Sequence, residues 1–289
     1  MTVVVVTDST SCLPLDRAQA AGVEVVPLHV TVGRRTLVEG RDISTDEVAS
    51  LLKAGKEQVS TSRVAPGDLV VAYREIAERT GADHIVSVHL SSRVSGTVDA
   101  AELAAAAVRS QVAVTVIDSR TLGMAMGYAA LWGAEAARSG SDASHVAGIV
   151  RAACAESKAW FYVDSLEYLR RGGRIGSAAA LLGGALSMKP LLQVADGQVQ
   201  PWERVRTRAK ALARLHTQTV QQAESWADMG RQVSIAVHHF AWAEQADLAA
   251  SQLRGALPDA TVDVVELGAV MAVHTGPGTL AVVVASHPG

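Results

Sequence analysis

The stretch SSRVSGT, Ser91 to Thr97, places four hydroxyls and a glycine between the apolar run HIVSVHL and the Ala-rich stretch VDAAELAAAAVR. Two similar clusters, TDSTS at Thr7 to Ser11 and DSRT at Asp118 to Thr121, also follow β-branched runs. Small hydroxylic residues at a strand-to-helix junction can cap the helix. Backed by the unpaired N–H groups and positive dipole end of that helix, they can also hold an anion. The spacing predicts Ser95 as an N-cap, with the N–H groups of Gly96 and Thr97 turned outward. One such loop is ordinary capping. Three on one inferred sheet edge, where the loops of a parallel sheet converge, predict a hydroxyl-lined pocket for something anionic or polar.

Other chemistries have weaker footing. A serine hydrolase or acyltransferase would use Ser95 with His274, His238 or His239 and with Asp8 or Asp118. No G-x-S-x-G elbow exists, and the S-x-x-K match at Ser50 to Lys53 lies in a helical pattern without companion motifs. GPGTLA fits a dinucleotide fingerprint on paper, but a β-branched run follows it instead of a helix, and no Walker sequence is present. Cys12 and Cys154 form no CxxC, and His238 and His239 point apart if they lie in a strand. No catalytic residue, metal site or cofactor is expected.

A chain of 289 residues predicts about two domains. Hydrophobic residues at 49% with aromatics at 4% mean that Ala, Val and Leu build the core. A net charge of -3 excludes the global field that gathers nucleic acid. VVVVTD, VEVVPLHVTV, HIVSVHL and VAVTVID read as strands alternating with helical patterns, which predicts an α/β fold with a mostly parallel sheet. VGRRTLVEG reads as a hairpin excursion. Residues 1–163 are expected to form this domain and 164–289 a smaller α/β domain, with a hairpin turning at Asp196-Gly197. The longest apolar tract, Ile175 to Met188, is shorter than the roughly 20 residues of a membrane span. Two unpaired cysteines and no signal-like start predict a cytoplasmic protein.

TDSTS, STS at Ser60 to Ser62 followed by PGD, SSRVSGT, YLRRGGRIG at Tyr168 to Gly176 and HTGPG at His274 to Gly278 occur in an order and spacing that resemble the DegV family from end to end. The resemblance implies a two-domain α/β protein holding a long-chain fatty acid between its domains. It also implies a non-catalytic role as the binding subunit of fatty acid kinase in phospholipid metabolism, a separate catalytic subunit making the acyl phosphate. By the same resemblance, Thr61, Ser62, Ser95, the Gly96 amide, Arg174 and His274 surround the carboxylate. The family more often has Gln and Pro where this chain has Arg63 and Val64. A serine-dependent lipid hydrolase or acyltransferase stays as the alternative.

A tail of about fifteen CH₂ groups supplies about 12 kcal/mol of gross transfer energy, so the tail dominates affinity and the head group decides selectivity. The tract IGSAAALLGGALSM, read as a helix buried all round, predicts Leu181, Leu182, Leu186, Met188, Leu191 and Leu192 as tunnel wall. Arg204, Arg206, Arg208, Lys210 and Arg214 crowd a helix start. Arg204 and Arg206 are candidates for docking a kinase subunit or an anionic membrane surface, whereas Arg170 and Arg171 read as surface charges.

Overall fold

The run VVVVTD forms strand β1 (Val3–Asp8) with every residue buried, as a strand covered on both faces requires. The computed structural model describes residues 1–181 and 188–288. After β1 come α1 (Leu15–Ala21), β2 (Val23–Val26), β3 (His29–Val32), β4 (Arg35–Val38), α2 (Thr45–Ala54) and β5 (Val59–Ser62). The chain continues through α3 (Pro66–Thr80), β6 (His84–His89), α4 (Thr97–Val108), β7 (Ala113–Asp118), α5 (Met124–Arg138) and α6 (Ala143–Glu156). The α/β expectation holds in a parallel sheet of order β2-β1-β6-β7.

VEVVPLHVTV is two strands in different sheets, not one. Pro27 has no N–H with which to extend the ladder. Hence β2 stays at the edge of the parallel sheet, while β3 joins an antiparallel sheet of order β4-β3-β5. The expected hairpin is β3 and β4, turning at Gly33 with φ 59. Helix α2 follows, closed by a capping box between Ser44 and Glu47. Strand β5 then pairs with β3 and delivers Thr61 opposite Val30.

The remaining elements are β8 (Lys158–Tyr162), α7 (Glu167–Arg171), β9 (Lys189–Ala195), β10 (Gln198–Val205), α8 (Arg208–Ala227), β11 (Val233–Phe240), α9 (Ala243–Ala256), β12 (Thr261–Glu266), α10 (Ala269–Thr275) and β13 (Thr279–Ser286). Their strands form one mixed sheet of order β10-β9-β8-β13-β11-β12. Strand β8 precedes the expected division at Asp164, yet it lies in this sheet between β9 and β13. The tract expected as a helix is a 3-10 helix over Gly176–Leu181. Residues 182–187 of that tract lie outside the described residues.

Side-chain alternation divides the six-stranded sheet into two faces. Trp160, Leu191, Val237 and Val282 pack with Leu215 of α8 and Leu253 of α9 on the outer face. Ala236, Phe240, Val283 and Ala285 turn inward and merge with the core of the parallel sheet. Helices α5 and α6 lie between the sheets, both touching β13, with α5 also on β1 and α6 on β6. Among the described residues no helix is long and apolar enough to cross a membrane.

The β9–β10 hairpin turns at Asp196 (φ 51) and Gly197 (φ 78), as Asp-Gly predicts. Its tip is fastened to the loops of the parallel sheet. Ser91 Oγ donates to the Gly197 carbonyl at 2.7 Å, and Arg120 Nη2 donates to the Asp196 carbonyl at 3.2 Å. A Cβ at Gly197 would overlap Ser91 Oγ as well as strain the backbone. Gly197→Ala is therefore expected to cost about 1–3 kcal/mol, lowering Tm by about 2–4 °C for each kcal/mol in a thermal melt.

Candidate lipid-binding cavity

A cavity of about 990 Å³, its open mouth included, lies between the inner face of the six-stranded sheet and the loops that follow β1, β5 and β6. Its position follows from topology, because the loops after β1, β6 and β7 meet at the carboxyl edge of the parallel sheet, and β5 reaches them from the antiparallel sheet. Period two along the mixed sheet sets the floor. Ala159 and Phe161 of β8, Val194 of β9 and Thr279, Ala281 and Val283 of β13 all line it. Leu28, Leu90, Leu122, Leu267, Val270 and Met271 close the opposite wall.

One end is polar. Thr61, Ser62, Arg63, Ser95, Arg174 and His274 line it together. Thr61 Oγ1 and His274 Nε2 share a hydrogen bond of 2.7 Å, joining β5 to α10. Burial and the positive charge of Arg174 push the His274 pKa down to about 4, so its ring is neutral at pH 7. His274 Nδ1 is buried without a partner, against Gly172, where a Cβ would overlap it.

Arg174 is held by its own neighbourhood. Its Nε donates to the Val94 carbonyl at 3.0 Å and its Nη1 to the Gly172 carbonyl at 2.6 Å. Among the described residues Nη2 has no acceptor, which leaves one guanidinium edge for a ligand oxygen. Arg63 is exposed at the rim, and no ion pair is formed by it among the described residues.

Ser95 departs from the expected cap. The N-cap of α4 is Gly96, without a side-chain hydrogen bond, and Ser95 Oγ instead lies 2.9 Å from Thr97 Oγ1. Ser91 Oγ is committed to Gly197 and shapes the turn, so the chain reaches helical geometry one residue later than the hydroxyl pattern implies. Gly96 does not line the cavity. It sits behind the Arg63 side chain, 3.4 Å from Arg63 Cδ to the position of an added Cβ.

Of the expected tunnel-wall residues, none of those described lines the cavity. Leu191 faces the outer core with Trp160 and Tyr162, because odd and even positions of β9 face opposite ways. Leu192 is buried among Phe161, Leu169 and Ile175, Leu181 packs against that same cluster, and neither they nor Met188 line the cavity. Leu182 and Leu186 lie outside the described residues. Among the described residues, the apolar wall comes from strands and loops far apart in sequence.

Polar groups on the deep wall are turned away from the cavity. The Met124 N–H donates to His238 Nε2 at 3.1 Å, and His238 Nδ1 is 3.2 Å from the Val265 carbonyl. Burial lowers the His238 pKa to about 4. The Thr279 hydroxyl donates to the Gly276 carbonyl at 2.7 Å. With these groups satisfied internally, the wall presents carbon to a ligand.

Ser95 has no histidine partner among the described residues, His274 being taken by Thr61 and Asp8 by His89. Asp118 accepts from Ser92. A Ser–His–Asp arrangement around Ser95 is therefore not formed. No group of three or more His, Cys, Asp or Glu among the described residues could hold a metal ion. In the basic segment, Arg208 pairs with Asp164 and stacks on Trp242, and Arg214 pairs with Glu203 and stacks on Trp202. Arg204 and Arg206 are exposed and form no ion pair among the described residues.

The family model described as "Uncharacterised protein, DegV family" matches residues 2–287. A DegV domain-containing protein of Streptomyces coelicolor is 46% identical, over 99% of both chains. Protein DegV of Bacillus subtilis is 32% identical, over 98% of both. Among solved structures, one described as showing fatty acid binding of a DegV family protein from Thermus thermophilus superposes with a TM-score of 0.88 at 33% identity, covering 99% of this chain and 100% of that one. The structure of DegV from Bacillus subtilis, described as a fatty acid binding protein, gives 0.90 at 30% identity, covering 99% of each. The match runs the length of the chain in sequence and in fold: this chain belongs to the DegV family.

Proposed function

We propose that the cavity binds one long-chain fatty acid, its carboxylate held by Thr61, Ser62, Ser95, Arg174 and His274 and its tail lying on the strand face of Ala159, Ala281 and Val283. The observation that carries this reading is the pairing of a single polar end with an otherwise carbon-lined interior. Hydroxyls offer hydrogen bonds to a carboxylate, with the neutral His274 ring positioning the Thr61 hydroxyl, and Arg174 balances its charge. The fatty acids described for the Thermus thermophilus and Bacillus subtilis structures support the same ligand class. From Thr279 to Val283 the floor runs about 13 Å, at about 3.3 Å per strand residue, enough for roughly two thirds of an extended sixteen-carbon chain before it must turn or rise.

In this proposal the protein is a carrier without its own chemistry, acting in the cytoplasm. A separate fatty acid kinase subunit phosphorylates the presented carboxylate to acyl phosphate, and loading involves transient contact with a membrane surface. The Gly96 amide, behind the Arg63 side chain, is left out of that head-group set. Residues 1–163 carry the hydroxyl-rich head-group loops and 164–289 carry Arg174, His274 and most of the floor, the ligand lying between them. The unpaired cations Arg204 and Arg206 supply the docking surface.

Three outcomes test this. Thr61→Val and Ser95→Ala should each weaken hexadecanoic acid binding by about 10- to 100-fold, as expected for losing a hydrogen bond to a charged group, and should narrow the preference over hexadecanol in titration calorimetry. Gly172→Ala should displace the His274 ring and weaken acid binding as much as His274→Ala does, with no further loss in the double variant. Arg204→Glu with Arg206→Glu should abolish acyl phosphate formation by an added kinase subunit while hexadecanoic acid still binds; loss of both activities together would refute the docking role.

A further inference from the structure

Two guanidinium groups stand at the polar end of the cavity, on either side of one short segment. Arg174 Nε donates to the Val94 carbonyl at 3.0 Å. Arg63, one residue beyond β5, lays its side chain along Gly96, with Cδ 3.4 Å and Nη1 3.6 Å from the position of an added Cβ. Ser95 lies between Val94 and Gly96 and, like both arginines, lines the cavity. The 2.7 Å hydrogen bond between Thr61 and His274 ties the strand that leads to Arg63 to the helix end beside Arg174, whose charge acts on the His274 ring. Both cations therefore belong to one head-group end.

The charges there do not balance. None of the residues that line the cavity is Asp or Glu. Burial pushes the pKa values of His274 and His238 down to about 4, so neither ring is charged at pH 7. Neither Arg63 nor Arg174 forms a salt bridge among the described residues. Acids on neighbouring elements are engaged elsewhere: Asp118 by Ser92, Asp164 by Arg208, and Glu167 by Arg170 and Arg171. The polar end thus carries two guanidinium charges with no anion of its own.

A carboxylate brings one negative charge and two oxygens, which the free edge of Arg174 can satisfy. Arg63 is then left over. A phosphate carried on a chain brings about two negative charges and three terminal oxygens, enough to face both guanidinium groups at once. Because the two cations flank the same segment, the second charge must sit on the same head group and not farther along the chain. We propose that Arg63 is a specificity-determining residue that extends the head-group site from a carboxylate to a dianionic phosphate at the end of a single alkyl or acyl chain. This rests on the reading that the cavity binds fatty acids.

The test compares hexadecyl phosphate with hexadecanoic acid by titration calorimetry at about pH 8, where the phosphate is a dianion, in low salt and below micelle formation. Wild-type protein should bind the phosphate at least as tightly as the acid. Arg63→Gln should weaken phosphate binding about tenfold while changing hexadecanoic acid affinity by less than about threefold. Arg109→Gln removes an equal charge from an exposed site at the opposite end of α4, and should leave both affinities within about twofold. A wild type that binds the acid but not the phosphate overturns the proposal. So does an Arg63→Gln variant that loses both ligands equally or neither, or a loss of phosphate binding as large in Arg109→Gln. If hexadecanoic acid does not bind the wild type, the fatty-acid reading itself fails instead.

Discussion

Strand alternation in the six-stranded sheet is the constraint on which the rest depends. Successive side chains of β8 and β13 must face opposite ways, so the same strands serve a solid outer core and a hollow inner face. Outward go Trp160, Tyr162, Leu280 and Val282, filled in by α8 and α9. Inward go Ala159, Ala281 and Val283. Small residues on that face leave room that close packing would otherwise close, since interiors are normally as dense as organic crystals. An empty space of this kind is stable only where its lining is apolar or internally satisfied. The commitments of His238, Thr279 and Thr10 to protein partners meet that condition.

The polar end answers to a different requirement. A carboxylate leaving water needs several donors and some opposing charge, but a fully charged cradle would be costly while empty. Under the proposed function, neutral His274, the hydroxyls and a guanidinium tethered by the Val94 and Gly172 carbonyls meet both needs. Each comes from a separate element: β5, the loop before α4, the turn after α7 and the end of α10. Gly172 permits His274 to stand where it does, since any side chain there would collide with the ring.

Much of this was legible from local signals. Apolar runs gave the parallel strands, Asp-Gly marked the β9–β10 turn, and the linked motifs named residues that the fold gathers at one cavity end. The S-x-x-E spacing of Ser44 and Glu47 forms the capping box that starts α2 and belongs to no functional motif. Other features were not local. Pro27 divides VEVVPLHVTV between two sheets, and nothing in ten residues says which partners each half will find. The apolar wall of the cavity is assembled from residues as distant as Leu28 and Val283, placed by the tertiary fold and not by their neighbours in sequence. Small-residue composition pointed instead to the tract near Leu191, whose side chain alternation sends to the far side of the sheet.

Helices α5 and α6, shared between the two sheets, carry a mechanical consequence. A single buried cluster contains Val5 and Val88 from one sheet with Ala236, Phe240 and Ala285 from the other. Prising the halves apart like a clamshell would strip water-shy surface from both at once. Under the proposed function, adjustments at the rim, where exposed side chains can swing, would let a ligand pass without disturbing the shared interior, and the exchange rate would be a property of a few surface residues, not of the whole molecule.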